Sequence, residues 1–284
     1  MSGPTSVLER LSRVTPFGIR FWDLVTQATV VGGLAVELYA LDDPQRRVSA
    51  FANRVGTFFL SRLPGSRDPE FEFGSGDADF WAALYAHPRA TYAIEVTDGL
   101  GDYQPFRFTH QLPARGLVVP SCLPVASPPS DVVPLFPTAS RRVPAGMAVV
   151  RADLRTPTGP AAWAVLEVQV GSTPPVRGLA DREGRVAVMV PYPEPVASPA
   201  RPASPPYAPG ASLRDQQWPV RLSVFYEPSS AVPRVPDLCP TLQQAPAFAW
   251  VDTAGTRPLG DQVLRYGEEL IVRSVIVTAA ASPP

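Results

Sequence analysis

The 284-residue chain carries a net charge of −1 with no long run of either sign, so it lacks the basic stripe that nucleic-acid binding requires. Its 36 prolines and 20 glycines cluster between apolar runs, a composition that suits many short strands joined by stiff loops and argues against a helical bundle. All of its basic side chains are arginine, which fits a GC-rich genome, and no apolar run reaches the roughly 18 residues of a membrane span.

In chain order, the opening "MSGPTSVLERLSRV" (1–14) lacks the basic start and apolar core of a secretory signal, so synthesis in the cytoplasm is expected. Alternating strands are predicted at "FGIRFWDLVT" (17–26) and "GLAVELYAL" (33–41), followed by a hairpin over 48–64 and a strand at "TYAIEVTD" (91–98). Between hairpin and strand, Ser75 or Asp77 can cap a short helix that carries Phe80, Trp81, Leu84 and Tyr85. A Pro-rich segment (119–144) follows, reading as a semi-rigid linker with an apolar centre, "VVPLF" (132–136), that must pack on its own domains or on a partner. The same order of elements then returns: "AGMAVVRADLRT" (145–156), "WAVLEVQV" (163–170), the hairpin "VRGLADREGRVAVMVPY" (176–192), and "WPVRLSVFYEP" (218–228).

The two hairpins align without a gap. Val48 meets Val176, an offset of 128, and Asn53-Arg54-Val55-Gly56 meets Asp181-Arg182-Glu183-Gly184. In each, the glycine supplies the positive φ that a compact turn needs, while Asn53 or Asp181 opens the turn. A period of this length is a domain duplication. The expectation is therefore a mainly β protein of two β-sandwich domains with Pro-rich loops and one short helix in the first. Domain 1 spans 15–118 and domain 2 spans 145–278, the latter with a Pro-rich insertion at 191–212, and 279–284 forms a tail.

Strand, "L-A-D-R-E-G-R", strand, "V-P-Y-P" resembles the carboxypeptidase regulatory-like, or transthyretin-like, β-sandwich, with Asp181 and Gly184 carrying the motif and Pro191 closing it. The first hairpin departs by having Asn53 for Asp. The resemblance implies an accessory module that stiffens, spaces or binds. More broadly, "FGIRFWD", "RVSAFANRVGTFFLSRLPG", "PFRFTHQLPARGL" and "VPAGMAVVRADL" resemble uncharacterised proteins that accompany contractile phage-tail-like injection systems. That implies a bacterial chain inside, or released with, a particle.

Chemistry-bearing motifs are scarce. His87 and His110 have no His-x-x-x-His or Cys-x-x-Cys context, and Asp77 and Asp79 lack the ligand spacing of a calcium loop, so neither metal nor cofactor is expected. No nucleophile elbow, phosphate loop or dinucleotide fingerprint occurs, so no catalytic residue is assigned. Cys122 and Cys239 both lie beside proline in loops. Free thiols are the expectation, and a single bridge from the linker to the C-terminal part is the alternative. The expected function is non-catalytic docking to other protein subunits, through sheet edges and through Leu135, Phe136, Tyr192 and Tyr207, with self-association in a symmetric particle. The alternative is a carbohydrate- or peptide-binding module that uses loop aromatics such as Tyr192 and Tyr207.

Overall fold

A computed structural model describes residues 15–65, 89–114, 116–123, 131–193, 216–229, 231–251 and 257–278. The expected helix of 70–88, with His87, Asp77 and Asp79, and Tyr207 in the Pro-rich insertion lie outside the described residues. The molecule is a β-sandwich protein.

The first half begins with β1 (Phe17–Asp23), where strict alternation buries Phe17, Ile19, Phe21 and Asp23. It continues through β2 (Ala28–Thr29), β3 (Leu34–Ala40), β4 (Asp43–Ser49), β5 (Phe51–Ala52), β6 (Thr57–Leu60), β7 (Ala90–Asp98) and β8 (Phe106–Leu112). One sheet runs β2-β1-β6-β5 and the other β4-β3-β7-β8. Phe21 meets Phe58 edge to face at 5.3 Å between them, and Val36, Leu38, Ile94 and Phe108 close the core from the second sheet.

The linker reading is corrected here. Val133–Leu135 forms β9, which pairs in parallel with β1 through Phe21↔Val133 and Asp23↔Leu135. Leu135 and Phe136 are buried in the first core, with Phe136 against Phe106 at 6.5 Å, so they are not docking residues. The reason is chemical: an apolar Val-Pro-Leu-Phe run beside an open strand gains more by completing that strand's sheet than by staying in water.

The second half comprises β10 (Met147–Thr156), β11 (Gly159–Pro160), β12 (Val165–Val170), β13 (Val176–Leu179), β14 (Arg185–Pro191), β15 (Gln217–Phe225), α1 (Leu238–Leu242), β16 (Pro246–Val251), β17 (Arg257–Pro258), β18 (Gln262–Arg265) and β19 (Leu270–Thr278). Its pairings repeat those of the first half. β14 lies antiparallel to β10 as β6 does to β1, and β19 lies parallel to β10 as β9 does to β1. β15 flanks β12 as β7 flanks β3. β16 joins both sheets, pairing with β15 at its start and with β19 along the rest. The helix among the described residues, α1, thus belongs to the second half.

Candidate functional site

The two hairpin turns have the same local chemistry. Asn53 Oδ1 accepts from the N–H groups of Val55 and Thr57, and Asp181 Oδ1 accepts from those of Glu183 and Arg185, all at 2.8–3.0 Å. A short side-chain oxygen can satisfy two turn amides in this way, which is why Asn and Asp suit the position. Gly56 and Gly184 follow at φ 78° and 79°. A Cβ on Gly184 would stand 2.1 Å from the Leu154 carbonyl oxygen, and one on Gly56 would stand 2.8 Å from the Val30 carbonyl oxygen. The Gly184 turn is pressed against β10, with the Leu154 N–H donating to the Gly184 carbonyl at 2.8 Å, and the Gly56 turn is pressed against Thr29 and Val30 at the end of β2. The structure brings these four residues into equivalent places.

Between the two halves lies a polar and covalent junction that motif reading does not reveal. Asp23, at the end of β1, accepts both guanidinium arms of Arg141, and it also receives the Val25 N–H at 2.9 Å and the Thr26 hydroxyl at 2.7 Å. Burial raises the Asp23 pKa, but the bonds from Arg141, Thr26 and Val25 outweigh it and hold the carboxyl at about 2. Arg141 also stacks over the Tyr103 ring at 4.7 Å. Burial, with the Asp23 charge beside it, pushes that phenol up to about 12. From the second half, Arg151 donates to the carbonyls of Ala139 and Arg141 and to Glu269. Val25 completes the contact on the outer face of the second domain, packed with Val149, Ala187 and Met189. That contact explains why Val186–Val190 is buried on both faces.

Cys122 and Cys239 form a disulfide, so the free-thiol expectation is corrected. The reason is spatial: α1 packs Leu238 into the first core, which carries the next residue up to the segment that follows β8.

Tyr192 does not stand alone. Its ring lies 4.7 Å from Tyr266 and 5.4 Å from Trp218, and its hydroxyl accepts the Gly267 N–H. The tyrosine pair, Met147, Val149, Val143 and Glu268 line an open cavity of about 260 Å³. A second, more polar hollow of about 550 Å³ is lined by Arg89, Thr91, Thr109, His110 and Gln111. There burial and the nearby Arg89 charge lower the His110 pKa and favour the neutral ring. Among the described residues, no three His, Cys, Asp or Glu side chains converge as metal ligands, and no helix is long and apolar enough to cross a membrane.

Sequence reading missed Asp23, Arg141 and Tyr266. The one available signal was "FWDLVT", in which Asp23 ends an alternating strand at an inward position.

No family model matches the chain, and no curated protein does. Among solved structures, the Bacillus anthracis TIE protein aligns at 9% identity and a TM-score of 0.24, covering 92% of this chain and 34% of that one. The chain thus spans about a third of that protein's length. The shaft pilin SpaA from Lactobacillus rhamnosus GG aligns at 9% identity and 0.22, covering 94% and 98%. A putative adhesin from Bacteroides ovatus aligns at 10% and 0.18, covering 78% and 84%.

Proposed function

We propose that this chain is a non-catalytic structural component of a larger protein assembly and acts as a rigid double spacer with exposed sheet edges. The carrying observation is the junction. Two sandwiches are tied by a buried ion pair, an apolar contact and a disulfide, a construction suited to holding two docking surfaces at fixed spacing. In this reading the first sandwich is 15–118 with the added strand 133–135, and the second is 145–278. Among the described residues β4 is an outermost strand of its sheet, and its edge offers backbone groups for pairing with partner strands. The narrower setting, a contractile phage-tail-like particle, rests on the sequence resemblance. Sedimentation of native lysates tests the proposal: the chain is expected in a large particle with other protein subunits. Recovery solely as free monomer would sink it.

The aromatic cavity favours one second reading, a carbohydrate- or peptide-binding module. Stacked tyrosines beside an open cavity can pack against a sugar ring or an apolar side chain. A glycan and peptide screen that gives hits lost on Tyr192→Ala would move this reading ahead.

A further inference from the structure

β15 and β16 are direct neighbours, paired at Val224↔Ala247 and Phe225↔Pro246, so a short hairpin loop could join them. The chain instead makes a long excursion, closed at its base by the Tyr226 N–H donating to the Ala245 carbonyl. Both sides of the excursion are moored to one residue of the second half. The Trp163 indole N–H donates to the Pro233 carbonyl at 3.0 Å, and the Gln244 amide donates to the Trp163 carbonyl at 3.2 Å. Trp163 is buried and held at φ 61°, a left-handed conformation that costs a bulky residue of this kind and survives only where its surroundings demand it.

The tip of the excursion belongs to the first half. Pro236 accepts the Arg107 N–H of β8 at 2.9 Å, and Asp237 bridges Arg107 in parallel fashion. Leu238 is fully buried in the first core, and Cys239 is bonded to Cys122. A segment built from the second sandwich thus ends as part of the first, with the disulfide at the point of attachment.

We propose that residues 231–245 are a redox-set strap. While the Cys122–Cys239 bond is closed, the strap fixes the second sandwich against the first; when a dithiol opens it, the tip leaves β8 and the two halves loosen without unfolding. The chemistry is ordinary thiol–disulfide exchange. A thiolate of the dithiol attacks one cysteine sulfur, the S–S bond breaks, and the mixed disulfide is resolved by the second thiol. The protein gains two electrons and two protons as two thiols, and the dithiol becomes a cyclic disulfide. A chain made where thiols are kept reduced would be loose there and would stiffen on reaching an oxidising environment.

The test is amide hydrogen exchange, followed by mass spectrometry, on the full chain before and after treatment with dithiothreitol, with Cys239→Ser as a reductant-free counterpart. The expected result is at least tenfold faster exchange at Arg107 and across 237–243, no change across β12 and β14, and a larger radius of gyration by X-ray scattering. Unchanged exchange at Arg107 and 237–243 would overturn the proposal, since packing of Leu238 alone would then hold the tip. Equal acceleration across β12 and β14 would overturn it too, because the bond would then be a staple of global stability. If Cys239→Ser fails to fold, the comparison of oxidised and reduced wild-type protein decides. None of these readouts depends on a partner, so they stand or fall apart from the assembly proposal.

Discussion

The Asp23 carboxylate and the Arg141 guanidinium, 118 residues apart, face each other through two hydrogen bonds of 2.9 and 2.7 Å, with their side chains 4% and 9% exposed. This pairing ties the end of the first strand to the segment entering the second domain. Removing one member leaves the other charged and buried, which costs more than the pair itself contributes. Asp23→Asn is expected to destabilise the protein by about 3 kcal/mol in urea unfolding.

The same pair sets an acid dependence. The folded Asp23 pKa of about 2 lies below its ordinary value of 3.8, so its stabilisation is complete above that ordinary value. It is lost as pH falls from near 4 through 2. Unfolding free energy measured across that window should fall less steeply for Asp23→Asn than for wild type. Parallel curves would mean that Asp23 does not titrate as the structure implies.

Gly184→Val and Gly56→Val should not be equal. Both glycines have positive φ, but a Cβ on Gly184 meets backbone at 2.1 Å, against 2.8 Å for Gly56. We expect a loss of about 3 kcal/mol or more at Gly184 and a smaller loss at Gly56. Thermal unfolding of the two variants ranks them, and the reverse order would refute the turn geometry.

Asp181→Asn should be tolerated, because the first hairpin makes the same two backbone bonds with an amide oxygen. Its ion pair with the exposed Arg185 adds little. Asp181→Ala, which leaves both turn amides without that acceptor, should cost about 1–2 kcal/mol. Chemical denaturation of the three proteins checks the contrast.

Phe136→Ala should destabilise the first domain by about 3–5 kcal/mol, the range for truncating a buried Phe. Circular dichroism melts of the isolated chain would register the loss without any partner present. A variant that melts like wild type would return Phe136 to the surface.

The strands and the turns were legible in the sequence because they depend on neighbours close along the chain. Alternation in "FGIRFWD" decides which face of β1 is buried, and the Asn-x-x-Gly and Asp-x-x-Gly spacings bring oxygen and amide together within one turn. What the tertiary structure alone decided are the meetings of residues far apart: Leu135 beside Asp23, Arg141 on Asp23, Cys239 on Cys122, and Trp163 moored to Pro233 and Gln244. Arg141, one of two adjacent arginines in a Pro-rich stretch, has no periodicity and no motif, so its local sequence is the same whether it ends in water or in a buried pair. Only the course of the chain, which carries the "linker" back along β1 and the 231–245 excursion across to β8, determines which of these groups lose their water and must find one another.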